Sequence, residues 1–166
     1  MLPKRLQACA DFVRQGTRVC DVGTDHALLP CDLVKQGKAT AALAADVHEK
    51  PLAGARKTIR ASGCADRVTT RLSDGLQQIL PEDADDVVIA GMGGELMARI
   101  VLECDWLRTD TKRLILQPMT QAPLLRQALA QNGFRVLEER AVWENGHSYT
   151  VLWAAYDGVS RTLTLA

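Results

Sequence analysis

The chain has 166 residues, of which 47% are hydrophobic and 24% charged, a composition typical of one globular domain with a sizeable core. Lysine plus arginine and aspartate plus glutamate number 20 each, so the whole molecule is not a polycation, and a nucleic-acid partner would need a local basic face or help from outside the chain. The chain has five cysteines but no C-x-x-C pair, so we expect reduced thiols and no bound metal. It has no apolar run of membrane-spanning length and no signal-peptide pattern. We therefore expect a cytoplasmic protein that does not bind a membrane.

The first predicted elements are an amphipathic helix over about residues 3–15 and a short buried strand at 18–20. The strand runs into Asp21-Val-Gly-Thr-Asp-His-Ala-Leu-Leu-Pro30, within which a helix is predicted to begin at Leu28. A strand, a tight turn at Gly23 and a helix form the geometry of a nucleotide-type binding site. Backbone N–H groups and the positive end of the helix dipole then face a ligand at the end of the strand.

The rest of the chain alternates between strands and helices. Strands are predicted at 39–45, 68–72, 86–90, 114–116, about 134–143 and 148–155, and helices at about 49–62, 95–104 and 121–132. Asn145-Gly146 is a strong hairpin signal between the last two strands. Five strand–helix alternations and a hairpin predict an α/β fold: a three-layer, Rossmann-like sandwich with a mostly parallel sheet and a C-terminal antiparallel hairpin, as in class I S-adenosylmethionine-dependent methyltransferases. We expect this domain to span residues 1–156, followed by a short tail at 157–166.

Four loops should meet at the carboxyl edge of this sheet, at 21–27, 46–48, 73–75 and 90–94. Asp46 ends the second strand and could accept hydrogen bonds from both ribose hydroxyls of an adenosine, although a solvated aspartate at a strand end is the alternative. Asp74 could accept a hydrogen bond from an adenine amino group, but Ser-Asp-Gly is also an ordinary turn.

The turn at Gly23 lacks the G-x-G-x-x-G pattern, because position 25 is an aspartate. A carboxylate at this position disfavours the pyrophosphate of NAD or FAD. S-adenosylmethionine carries no phosphate and a positive charge, so Asp21 and Asp25 favour it electrostatically. The charge pattern therefore predicts S-adenosylmethionine as the cofactor.

Three further features bear on the chemistry. Gly91-Met-Gly-Gly94 either lets the cofactor and a target base approach the backbone or simply starts a helix. Gln117 could read a base edge or cap a strand end. Asp25 and His26 are the titratable pair nearest the expected methyl donor, and we assign them the catalytic role; a histidine that only caps the helix or holds the turn is the alternative.

Arg5-Leu6, the stretch 21–30, Ile89-Ala-Gly-Met-Gly-Gly94 and Leu114-Ile-Leu-Gln-Pro118 together resemble the bacterial tRNA (adenine(22)-N1)-methyltransferase family over roughly residues 2–156. The resemblance implies a Rossmann-like enzyme that uses S-adenosylmethionine to methylate N1 of an adenine in the D-arm region of tRNA. It implies, by position, that the cofactor and reaction site is lined by Asp21, Gly23, Asp25, His26, Asp46, Asp74, Gly91 and Met92. Val47 and Gly75, in the same loops, complete the cofactor-binding candidates.

Members of this family continue beyond about residue 156 into a helical C-terminal domain, in place of which we expect only the short tail. Binding of tRNA would then depend on a local basic face, for which the candidates are Lys4, Arg5, Arg14, Arg56, Arg60 and Arg71. A small-molecule methyltransferase is one alternative, although 4% aromatic residues offer little for an aromatic-lined pocket. A non-catalytic module that binds S-adenosylmethionine is the other. The oligomeric state is not predicted.

Overall fold

The computed structural model describes residues 1–164. Its strands are β1 (Thr17–Val22), β2 (Ala39–Asp46), β3 (Val68–Leu72), β4 (Asp86–Gly93), β5 (Arg113–Thr120), β6 (Phe134–Glu144) and β7 (His147–Tyr156). Its α-helices are α1 (Lys4–Phe12), α2 (Leu28–Lys35), α3 (Glu49–Ser62), α4 (Gly94–Leu102) and α5 (Ala122–Gln131). The strands form one sheet in the order β3-β2-β1-β4-β5-β7-β6, parallel from β3 to β5 and antiparallel at β7 and β6. The predicted α/β fold is confirmed.

Helices cover both faces of the sheet, because successive strand residues point to opposite sides and both sides are apolar. Val19 and Val88 pack with α1, α2 and α3, whereas Cys20 and Ile89 pack with α4 and α5. All the cysteines are buried and free, so they act as small apolar side chains in these layers. None of the helices within residues 1–164 is long and apolar enough to cross a membrane.

The predicted count of five strand–helix alternations is one too high, because β3 is joined to β4 by a 3-10 turn at Pro81–Asp83 and not by an α-helix. The Asp83 carboxylate accepts hydrogen bonds from the Leu80 N–H, over 2.8 Å, and from the Arg71 guanidinium. Side-chain contacts of Asp83 therefore hold this short connection in place of helical packing.

Helix α1 ends at Phe12, three residues before its predicted end. Val13 is extended, and the next N–H, that of Arg14, donates to Oδ2 of Asp86 over 2.8 Å. The Arg14 guanidinium also binds Asp86, whose side chain is fully buried. This ion pair joins the segment after α1 to the first residue of β4, at the amino edge of the sheet.

Strands β4 and β5 run beyond their predicted ends. The pairing between them shifts register on both sides of Met92, and Gly91 has a φ of +80°. A glycine tolerates this conformation, so Gly91, Met92 and Gly93 form the bulged end of β4 rather than a loop, and Gly94 begins α4, in agreement with the predicted helix start. Pro118 lies inside β5 without breaking it, because β7 pairs with β5 only at 114–116 and the end of β5 has a free side.

Candidate functional site

A cavity of about 730 Å³ opens at the carboxyl edge of the sheet, where β1 lies between β2 and β4. The chain reverses its direction of strand addition at β1, and open α/β sheets bind their ligands at such a switch point. The predicted site residues that line this cavity are Asp21, Gly23, Asp25, His26, Asp46 and Gly91. The ends of β1, β2 and β4 therefore converge on one space.

The other predicted residues lie around this cavity or apart from it. The Met92 side chain packs where a Cβ on Gly23 would lie, so it adjoins the turn after β1. Asp74 and Gly75 line a separate cavity of about 180 Å³. Val47 is 53% exposed and lies outside both linings.

The turn after β1 is held by backbone hydrogen bonds and contains strained residues. The N–H groups of Gly23 and Thr24 both donate to the carbonyl of Ala45 in β2, over 2.9 and 3.0 Å. His26 and Ala27 then have φ angles of +51° and +55°, a conformation uncommon for residues other than glycine. Such residues cost on the order of 1 kcal/mol or more each and cluster at functional sites. The strain points to a functional turn that sets the position of His26.

Asp21 is a carboxyl group buried at the inner end of the cavity, with 5% of its surface exposed. Burial raises the pKa of this carboxyl to about 7, with smaller contributions from the negative charges of Asp25 and Asp46, while a hydrogen bond from Thr24 acts in the opposite direction. A buried acid next to two further carboxylates favours a positively charged ligand, because the ligand would neutralise the cluster. The donor set therefore fits S-adenosylmethionine, which is a cation at its sulfonium.

Asp46 is the last residue of β2 and lines the cavity. Its Oδ1 accepts a hydrogen bond from the N–H of His48 over 2.9 Å, which fixes the carboxylate just before α3 begins. A carboxylate fixed at the end of the second strand is suited to accept hydrogen bonds from the hydroxyls of a ribose.

Asp25 and His26 project from the strained turn into the open part of the cavity. Their side chains are 54% and 67% exposed, and Nε2 of His26 lies 4.0 Å from Oδ1 of Asp25. The imidazole packs against α3 at Gly54, where an added Cβ would lie 3.0 Å from Nδ1. The two side chains are therefore neighbours, and a glycine in the opposite helix makes room for the ring.

The sequence interpretation missed the wall that α3 contributes. Lys50, Gly54 and Lys57 line the cavity at the i, i+4 and i+7 spacing of one helix face. Gly54, which lies inside a strong helical pattern, could have indicated this wall. A glycine lowers helix stability, so its presence there suggests that another group packs closely against the helix.

Arg5 in α1 reaches the cavity and braces the bulged end of β4. Its Nη1 donates to Oε1 of the fully buried Gln117 over 2.9 Å, and the N–H of Gly91 donates to the same oxygen over 3.2 Å. The amide nitrogen of Gln117 donates to the carbonyl of Pro118. The amide is thus used inside the protein and does not read a base edge, contrary to one of the two predicted roles.

The residues that the structure describes include no group of three or more His, Cys, Asp or Glu side chains that could hold a metal ion. The ionisable side chains that line the cavity are those of Arg5, Asp21, Asp25, His26, Asp46, Lys50 and Lys57.

Comparison with known proteins identifies relatives over nearly the whole chain. The family model described as a methyltransferase domain matches residues 2–152. The chain is 37% identical to the tRNA (adenine(22)-N(1))-methyltransferase of Bacillus subtilis, over 96% of this chain and 70% of that protein. Its fold is similar to that of Streptococcus pneumoniae Sp1610 in complex with S-adenosyl-L-methionine, with a TM-score of 0.92, 38% identity and coverage of 99% of this chain and 76% of that one. It is also similar to M. capricolum TrmK in complex with S-adenosyl-homocysteine, with a TM-score of 0.85, 30% identity and coverage of 99% and 73%.

Proposed function

The chain belongs to the family of the tRNA (adenine(22)-N(1))-methyltransferases, and from this premise we propose that it methylates N1 of adenine 22 in tRNA with S-adenosylmethionine. The observation that carries the proposal is the carboxylate-lined cavity at the switch point of the sheet, with Asp21 buried at its inner end. A site built for a phosphate-bearing cofactor would avoid these acids.

S-adenosylmethionine, when bound, supplies a methyl group on a positively charged sulfonium. Asp21 would neutralise its positive charge, and Asp46 would hold the ribose hydroxyls. Gly23 and Gly91 allow the backbone to lie close to the cofactor because neither has a side chain. Contacts of Val47, Asp74, Gly75 and Met92 with the cofactor stay predictions; Asp74 would have to reach from the neighbouring cavity, where Arg99 binds it over 3.2 Å.

Asp25 and His26 are the side chains proposed to act on the base. Adenine N1 becomes positively charged on methylation unless the exocyclic amino group loses a proton. Asp25 would stabilise this charge or accept that proton, and His26 would orient the carboxylate from 4.0 Å away. Because N1 lies on the pairing edge of the base, the adenine must be unpaired or flipped out of its stem to enter the site. The remaining contribution of the protein is to position the reactants.

A substitution at Asp25 separates binding from turnover. We expect Asp25→Asn to lower kcat by about 10²-fold, the usual range for a lost acid–base or charge-stabilising group, while S-adenosylmethionine still binds. Single-turnover methyl transfer and calorimetry would measure the two effects. Unchanged turnover would remove Asp25 from the mechanism.

The proposed function itself is tested by incubating the protein with S-adenosylmethionine and a tRNA carrying adenine at position 22, followed by nucleoside mass analysis. We expect 1-methyladenosine from this tRNA and none from the same tRNA with guanine at position 22. Binding of the cofactor without methyl transfer to any tRNA would favour one of the alternatives, a small-molecule methyltransferase or a non-catalytic binding module.

Two further parts of the proposal concern the extent of the domain and its place of action. We propose residues 1–156 as the catalytic domain, since β7 ends at Tyr156. Beyond it, the N–H groups of Asp157 and Arg161 donate to carbonyls at Gly133 and Ala130, which fastens this segment to the end of α5. We also propose that the protein acts in the cytoplasm, where its tRNA substrate would be found.

A further inference from the structure

Most of the arginines expected to form a basic face for RNA are already bound to carboxylates. Arg14 binds the buried Asp86 over 2.6 Å, and Arg5 binds Glu144 over 3.1 Å. The remaining pairs of this kind are Arg56 with Glu49 and Arg71 with Asp83. A cation that is neutralised within the protein contributes little to the attraction of a polyanion. The predicted basic face therefore loses most of its charge to internal ion pairs.

Two lysines at the cavity, unlike these arginines, are not paired with a carboxylate within residues 1–164. Lys50 and Lys57 line the cavity and are exposed, and no carboxylate of the described residues lies within ion-pairing distance of either. They are seven residues apart in α3, so they lie on the same helix face and about 10 Å apart along the helix axis. A pair at this separation is suited to contact two different anionic groups rather than one.

We propose that Lys50 and Lys57 bind phosphate groups of the RNA backbone on either side of the target adenine. The inference deepens the proposed function and depends on it. The carboxylates at the inner end of the cavity would hold the cationic cofactor, which leaves the exposed α3 wall to the polyanionic substrate. On a molecule with a net charge of zero, local unpaired cations must supply the attraction to phosphate. Lysine is suited to this role because its flexible ammonium group binds phosphate as a point charge.

The test is the salt dependence of tRNA binding by the double variant Lys50→Gln/Lys57→Gln. Loss of two phosphate contacts should lower the slope of log Kd against log salt by about 2 and weaken binding most at low salt. Calorimetry should show an unchanged affinity for S-adenosylmethionine. The matched control is Lys35→Gln/Arg135→Gln, which removes the same charge at exposed cations outside the cavity and should leave the slope close to that of the wild type.

Two results would overturn the inference. One is an equal slope in the double variant, the control and the wild type. The other is a loss of affinity for S-adenosylmethionine with tRNA binding unchanged, which would assign the lysines to the carboxylate of the cofactor. Either result leaves methyl transfer to tRNA by the wild type intact, whereas a wild type that never methylates tRNA would remove the proposed function as well.

Discussion

At the scale of single residues, the positions of the acidic residues near the end of β1 were predictable, and the raised pKa of Asp21 was not. Asp21 and Asp25 belong to one contiguous motif, so a strand followed by a turn places them at the sheet edge whatever the rest of the chain does. The raised pKa of Asp21 depends on burial and on Asp46, which comes from another strand. No local sequence pattern shows that Asp46 lies close to Asp21, because the tertiary fold brings the two strands together.

The raised pKa of Asp21 predicts an unusual pH dependence of stability. Because this pKa rises from 3.8 in the unfolded chain to about 7 in the folded protein, the folded state binds the proton more tightly. The free energy of unfolding should therefore fall as the pH rises from about 4 to 7. We expect Asp21→Asn to remove this loss, which makes the cofactor-free variant more stable at pH 8 by on the order of 4 kcal/mol.

Urea unfolding at pH 4 and pH 8 measures this effect, with Asp66→Asn, an exposed aspartate outside the cavity, as the control. Wild type and Asp21→Asn should differ little at pH 4. The same variant should bind S-adenosylmethionine more weakly, because it lacks the carboxylate that we propose neutralises the cofactor. A variant that is less stable than the wild type at pH 8 would contradict the assignment.

At the scale of elements, strong periodic patterns gave the correct helices and strands, and contacts between elements decided the ends. Helix α3 and strand β3 have the predicted bounds. Helix α1 ends early because Asp86, distant in sequence, captures the N–H of Arg14. Strand β5 continues through Pro118 because its neighbour β7 stops pairing at Leu116. The wall contributed by α3 was missed for the same reason: a helix face becomes part of a site only when the helix packs beside it.

Replacing Gly54 in α3 by alanine should affect stability and activity in opposite directions. Glycine to alanine inside a helix normally stabilises a protein by up to about 1 kcal/mol. Here the new Cβ would lie 3.0 Å from Nδ1 of His26 and displace the imidazole. We expect Gly54→Ala to keep or raise the melting temperature and to lower kcat by about tenfold, since small displacements of a reacting group are costly.

A double-mutant cycle with His26→Ala identifies the cause. If Gly54 acts by making room for the ring, Gly54→Ala should have no further effect on kcat once the ring is absent. An equal loss of kcat in both backgrounds would show that Gly54 acts through something other than His26.

At the scale of the whole molecule, the balanced charge separates into local regions. Ion pairs such as Arg14 with Asp86 and Arg18 with Asp85 join β4 and its preceding loop to neighbouring segments at the amino edge of the sheet. The carboxyl edge instead gathers Asp21, Asp25 and Asp46 at the cavity, with Lys50 and Lys57 on its α3 wall. Composition alone gave a net charge of zero and could not show this separation, because it depends on which cations the fold pairs with acids.

The acidic residues at the ends of β1 and β2 are central to the proposed function, as the binding site of S-adenosylmethionine. The most direct test is the dissociation constant of S-adenosylmethionine for Asp46→Asn, measured by calorimetry beside the wild type and Asp66→Asn. Loss of a charged hydrogen-bond acceptor for the ribose should weaken binding by about tenfold or more, while Asp66→Asn should bind like the wild type. Equal affinity in all three proteins would contradict the account.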